Sequence, residues 1–328
     1  MDNKWRALSP DEYSDNNEFI EDEFGTYSPN FFQKILIYIG KKSFLKRGLF
    51  RSKYTQIIMS LQKGPLDIYF RECAFRVYGE NNLIEYGILL DPKYNSDDIE
   101  FLLEGSSQNS NFIDLGSNIG LYSQPFAKAS PSGTVISIDA NPLMKSRLSF
   151  NIISSGIENI DVTSCAVSDK IGRGSLFIRK NDTAIVSIAE YTNGNIKIDT
   201  LENIIKNKKI TSINGLNIDI EGHEDKALVP FLNNIEKNLL PERIVIERQS
   251  RNSDYPGCTL AFKELNYTLI ARSRNNSFYK KLWLAVDSNF KITQSFKARS
   301  ILRHFATLIL CCFNVFAKIC PPDPSATK

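Results

Sequence analysis

Three carboxylates and one of the chain's two histidines fall within six residues, in Asp219-Ile220-Glu221-Gly222-His223-Glu224. His223 or a neighbouring carboxylate is suited to take a proton from a hydroxyl, and Asp219 with Glu221 to orient the group that loses it. Oxygen ligands of this kind would also suit magnesium or calcium, although no metal is assigned. The same acids fit a helix N-terminus, with His223 in a capping role. A second constellation is Asp114-Leu115-Gly116-Ser117-Asn118-Ile119-Gly120. Gly116 and Gly120 permit a tight turn and let a ligand approach the backbone closely. The spacing lacks the third glycine of the dinucleotide fingerprint, which a pyrophosphate wants. A methionine-type cofactor carries no phosphate, and Asp114 is placed for its cationic end. Asp139 follows roughly 20 residues beyond the glycines, where a carboxylate accepts both hydroxyls of a ribose; the alternative is a turn or helix-capping aspartate before Pro142.

The elements that must hold these residues follow from hydrophobic pattern and breakers. Strands are expected over 111–115, 134–138, 160–166, 216–219, 244–247, 268–271 and 282–286. Helices are expected over 119–129, 142–154, 201–206, 225–232 and 259–265, the second with Pro142 at its start, where a missing N–H costs nothing. This alternation implies an α/β fold: a Rossmann-like, doubly wound, mostly parallel seven-stranded sheet with helices on both faces. Ligands of such sheets sit beyond the carboxyl ends of the strands, near the reversal of strand order. Asp114, Asp139 and Asp219 all lie there. So does Glu247, which reads either as a site wall or as the partner of Arg248 or Arg251.

Together these stretches resemble the FkbM-like family of class I S-adenosylmethionine-dependent methyltransferases, over roughly residues 110–272. Phe112 to Gly120 is similar to that family's cofactor loop. Ala166-Val167-Ser168-Asp169 with Gly172 resembles a segment after the third strand, and Asp199-Thr200-Leu201 with Asn217 to Glu224 resembles a later pair of motifs. Asp139-Ala140-Asn141-Pro142 stands where the family has Glu-Pro-Asn, so the carboxylate is one methylene shorter. Ser117 replaces an alanine, Asn217 a lysine, and Glu202 an aspartate. The resemblance implies S-adenosyl-L-methionine as cofactor, held by Asp114, Gly116, Asn118, Gly120, Asp139 and Asn141. It implies methyl transfer, typically to oxygen, with Asp219, Glu221 and His223 as the catalytic set. The acceptor would be a small molecule or a glycan.

Composition restricts the partners. Hydrophobic residues are 42% and charged residues 23%, as in a folded globular chain. The net charge of +3 gives no bulk signal for nucleic acid, so none is expected as partner. Six scattered cysteines form no C-x-x-C pair, which fits a reduced, cytoplasmic setting. No leader is expected at the acidic N-terminus, and the longest apolar stretch, 305–317, is too short to span a bilayer. The expected layout is a loose tail over 1–30, a helix-and-strand extension over 31–109 with strands near 66–70, 74–78 and 86–90, the methyltransferase-like domain over 110–290, a basic amphipathic helix over 291–319, and a tail over 320–328. That helix, through 297–319, either packs on the domain or meets a membrane surface. A basic cluster, Lys41 to Lys53, has the same two readings. Rival functions are a nucleic-acid methyltransferase, a nicotinamide-dependent oxidoreductase (disfavoured by the absent third glycine) and a non-catalytic scaffold. The first would place the basic cluster beside the Asp219 cleft.

Overall fold

A computed structural model describes residues 5–7, 22–79, 82–179, 182–190, 194–208 and 210–282. The expected helix at 297–319, both terminal tails for the most part, and 283–286 of the expected last strand lie outside the described residues.

The N-terminal part comprises β1 (Trp5–Ala7), α1 (Phe31–Lys42), α2 (Gly48–Ser60), the hairpin β2 (Leu66–Phe70) and β3 (Cys73–Val77), α3 (Leu83–Leu90) and α4 (Ser96–Leu103). A reciprocal cap starts α1: Gln33 N–H donates to Asn30 Oδ1 at 2.9 Å, and Asn30 N–H donates to Gln33 Oε1 at 3.0 Å. Ser43, in extended conformation, ends that helix before a 3-10 turn leads into α2. The segment 86–90, expected as a strand, is helical. Asn82 caps it by accepting from Ile84 N–H at 3.0 Å and Glu85 N–H at 3.3 Å. Glu85 to Leu90 are all buried, so the run shows no helical period, and its continuous apolar character imitates a buried strand.

The sheet begins with β4 (Phe112–Leu115), α5 (Ser123–Ala129), β5 (Val135–Asp139), α6 (Pro142–Ser154) and β6 (Ile160–Ser164). An inserted, mixed layer follows: β7 (Ala166–Val167), β8 (Gly172–Arg179), β9 (Asp182–Glu190) and β10 (Ile196–Asp199), antiparallel except where β10 pairs with β7, and with β1 pairing on β8. The chain then returns through α7 (Leu201–Lys206), β11 (Gly215–Ile218), α8 (Glu224–Asn234), β12 (Arg243–Glu247), α9 (Pro256–Glu264), β13 (Tyr267–Arg272) and β14 (Asn276–Lys281). The seven strands order as β13-β14-β12-β11-β4-β5-β6. The five from β12 to β6 are parallel; β14 is antiparallel to both its neighbours. The run Asn276–Lys281, for which no strand was expected, folds back as a hairpin on β13 and covers β12, while only Leu282 of the strand expected at 282–286 is among the described residues.

The chain winds outward from β4 to β6 and then crosses back to β11 on the other side of β4. The crevice at the carboxyl ends of β4 and β11 is therefore the switch point where a ligand belongs. One apolar cluster covers each face of the sheet. The first joins Ile113, Leu216 and Ile244 to α7, α8 and α9. The second joins Phe112, Phe126 and Val135 to Ile37, Ile58, Phe75 and Leu89. The N-terminal helices thus share a core with the sheet.

Candidate active site

The glycine loop after β4 is shaped by what lies above it. Gly116 has φ +86°, and a Cβ there would fall 1.9 Å from the Asp219 carbonyl oxygen. Asp219 N–H donates to the Leu115 carbonyl at 3.0 Å. Loop and acidic motif therefore meet backbone to backbone, and any side chain at position 116 would part them. Asn118 adopts φ +46°, and its N–H donates to Asp139 Oδ2 at 2.8 Å, while Asn141 N–H donates to Oδ1 at 2.8 Å. The Asp139 carboxyl is pushed up to about 6, chiefly by burial, against the lowering effect of these two bonds. Each oxygen keeps a further lone pair for a ligand hydroxyl.

Asp114 sits behind this loop rather than on a cavity wall. It is fully buried, accepts from Ser123 Oγ, and accepts from Asn217 Nδ2 at 3.0 Å. Burial raises its pKa. Asn217, the departure from the usual lysine, is thus a neutral partner for this carboxyl. Asn82 was not singled out by sequence: its Nδ2 donates to Asn118 Oδ1 at 2.9 Å and ties the N-terminal part to the loop. A capping asparagine ahead of an apolar run was the available signal, but its second bond spans 36 positions.

A cavity of about 320 Å³ opens over these residues, with Gly116, Asn118, Asp139, Asn141 and Val167 on one side and Asp219, Glu221 and Glu247 on the other. That is within the usual size of small-molecule sites. A second cavity of about 310 Å³ shares Gly116, Asp219 and Glu247 with it and continues to Tyr94, Ser117 and Tyr122. Each has a buried polar atom without a protein partner on a lining residue: Asn141 Nδ2 in the first, Ser117 Oγ in the second. Such orphans call for a ligand or water.

The acidic motif turns sharply after β11, with Glu221 at φ +54° and Gly222 at φ +100°. Glu224 ties that turn, accepting from Ile220 N–H and Gly222 N–H at 2.9 Å each. His223 occupies the N-cap of α8 and lines neither cavity. The third partner is instead Glu247. Carboxylate oxygens of Asp219, Glu224 and Glu247 lie within 4.8 Å of one another, a spacing a divalent cation could use. A shared proton relieves the same repulsion. Glu247 is pushed up to about 10, first by burial and then by the charges of Asp219 and Glu221. Asp219 opens on to the cavity, yet the enclosing site and then Glu224 raise its pKa to about 6, while a hydrogen bond with Glu247 lowers it. Arg248 is not the partner of Glu247, because its Nε lies 3.1 Å from Asp254 Oδ1. No residue of the basic cluster lines either cavity, but one of them, Arg51, has its guanidinium 5.3 Å from the ring centroid of Tyr94, on the second cavity's wall.

The family described as "Methyltransferase FkbM domain" matches residues 114–272. This stretch is thus similar to an FkbM methyltransferase domain. It runs from the buried Asp114, near the end of β4, to the end of β13, and so holds the carboxyl ends of β4 and β11 at the switch point. No curated protein matches the chain. Among solved structures, the chain is similar to methyltransferase FkbM from Methylobacillus flagellatus KT, with 15% identity over 60% of this chain and 52% of that one and a TM-score of 0.38. It is similar to M. jannaschii TYW2 in complex with AdoMet, with 12% identity, 67% and 88% coverage and a TM-score of 0.35. It is also similar to M. capricolum TrmK in complex with S-adenosyl-homocysteine, with 12% identity, 70% and 88% coverage and a TM-score of 0.36. These likenesses are distant, and nothing further rests on them.

Proposed function

We propose that the chain is an S-adenosylmethionine-dependent methyltransferase acting on a hydroxyl of a small molecule or glycan. The observation that carries the reading is the pair of adjoining cavities meeting at Gly116, Asp219 and Glu247. The first suits the cofactor: Asp139 offers lone pairs to the ribose, Asn141 an unpartnered amide, and Gly116 a backbone with no side chain in the way. When bound there, S-adenosylmethionine supplies an electrophilic methyl group on a cationic sulfur. The second suits the acceptor, being walled by hydroxyl, amide and carboxyl groups. Asp219, at the junction, takes the proton of the acceptor hydroxyl. Glu247, holding its own proton, donates a hydrogen bond to Asp219, and Glu221 lines the cofactor side.

Titration calorimetry of the whole chain with S-adenosylmethionine and S-adenosylhomocysteine, beside Asp139→Ala, tests this. Micromolar binding that weakens at least about 100-fold in the variant is expected, since two charge-assisted bonds to the ribose are lost. Well-folded protein that binds neither ligand would overturn the proposal. A second reading, methylation of nucleic acid, draws on Arg51 standing beside the second cavity. Methyl incorporation into RNA in preference to sugars would decide for it.

A further inference from the structure

The N-terminal helices expose what a folded chain usually hides. Nine of the sixteen exposed large hydrophobic side chains among the described residues lie within residues 31–61. On α1 they are Phe31, Phe32, Ile35, Tyr38 and Ile39, the first two 71% and 68% exposed. At about 100° per residue they cover an arc of roughly 120°, opposite the buried Gln33, Ile37 and Gly40. Phe50, Ile57 and Leu61 continue the surface along α2, and Phe44 in the intervening turn packs edge-on against Phe50 at 5.4 Å. Lys34, Lys42, Arg47 and Lys53 are exposed around these stripes. Residues 31–63 contain eight lysines and arginines and no acid, whereas the whole chain is only +3, so the remainder is net acidic.

We propose that α1, α2 and the turn between them dock on an anionic lipid bilayer, lying in its interface. Aromatic and aliphatic side chains ringed by cations meet both halves of such a surface, the acyl boundary and the headgroups. The alternatives match only in part. A second copy would bring the same positive charge against this one. A nucleic acid would satisfy the cations but leave Ile35, Ile39, Ile57 and Leu61 in water. Among the described residues no helix is long and apolar enough to cross a membrane, so contact is interfacial. Through Arg51 and Tyr94 the docking surface adjoins the second cavity. The inference itself is independent of the methyltransferase reading.

The test is co-sedimentation of the full chain with vesicles of phosphatidylcholine alone and of phosphatidylcholine mixed with phosphatidylglycerol. Binding to the mixed vesicles only, weakening as salt rises, is expected. Two variants of exposed residues are compared, Phe31→Ser/Phe32→Ser/Ile35→Ser and Lys34→Glu/Lys42→Glu/Lys53→Glu. Each should bind at least about tenfold less tightly while melting as the wild type does. If the serine variant does not fold, Phe44→Ser/Phe50→Ser replaces it. Wild-type binding by both variants would overturn the proposal and assign membrane contact to residues 297–319. So would a failure to bind vesicles combined with either RNA binding or a dimer that the serine variant dissolves.

Discussion

Asp219 and Glu247 divide the proton chemistry between them because the same cluster affects them unequally. Glu247 is the more deeply raised and stays neutral around pH 7, whereas Asp219, at about 6, is ionised there and able to accept a proton. Turnover should therefore rise with pH through about 6 and level off above it. Asp219→Asn should lower kcat by about 10²–10⁴-fold and abolish that limb, with cofactor affinity nearly unchanged. Glu247→Gln imitates the neutral acid and should keep the limb in place. Glu247→Ala removes the hydrogen bond that lowers Asp219 and should move the limb to higher pH. His223→Ala, off both cavity walls, should retain kcat within about tenfold; a loss of general-base size would return the base to His223. Rate profiles of the four variants distinguish these outcomes.

At the scale of the element, the glycine loop and the turn after β11 are one unit. The Gly116 conformation and the Asp219 carbonyl leave no room for a methyl group, and neither backbone can yield alone. Gly116→Ala should cost at least about 2 kcal/mol, from a left-handed backbone plus the clash, and should lose cofactor binding in calorimetry. Gly156, with φ +64° and no heavy atom within 4 Å of an added Cβ, is the control. Gly156→Ala should cost only the backbone term of about 1–2 kcal/mol and leave binding intact. Equal effects of the two substitutions in denaturant titrations would contradict the close approach. Loop glycines were visible in the sequence by their spacing; that one of them faces a carbonyl from another strand was not.

At the scale of the whole molecule, a buried ion pair and a buried cation–π contact fasten the N-terminal part to α6 and so to the sheet. Arg147 of α6 reaches Glu85 of α3 at 2.9 Å, both nearly inaccessible. Arg76 of β3 takes Asp67 of β2 at 2.7 and 3.0 Å, its guanidinium over Phe150 of α6 at 4.1 Å. Breaking such a pair from one side leaves an uncompensated buried charge, so Glu85→Ala should cost about 3–5 kcal/mol. Because the second apolar cluster runs through α1, α2 and the sheet alike, urea should unfold both parts in one transition monitored by far- and near-ultraviolet dichroism. A separate early transition of the N-terminal part would show that the shared core does not couple them.

Sequence alone set the order of the main-sheet strands and their helices from β4 to α9, though not of the inserted layer β7 to β10, since apolar runs, the Pro142 start and the glycine turns are local signals. It determined that Asp139 and Asp219 end strands, and placed Glu247 with them. Tertiary structure alone decided which of these residues meet. Glu247 chooses Asp219 over Arg248 because β12 lies beside β11, and Arg248 finds Asp254 across a turn. Asp114 faces Ser123 and Asn217 because strands β4 and β11 align Asp114 with Asn217 in register. The helix at α3 and the strand at β14 were misread for one reason. Burial on all sides erases a helix's period, and pairing with β13 and β12 on both sides supports a strand of mixed polarity, so in both the neighbours outweighed the residues' own pattern.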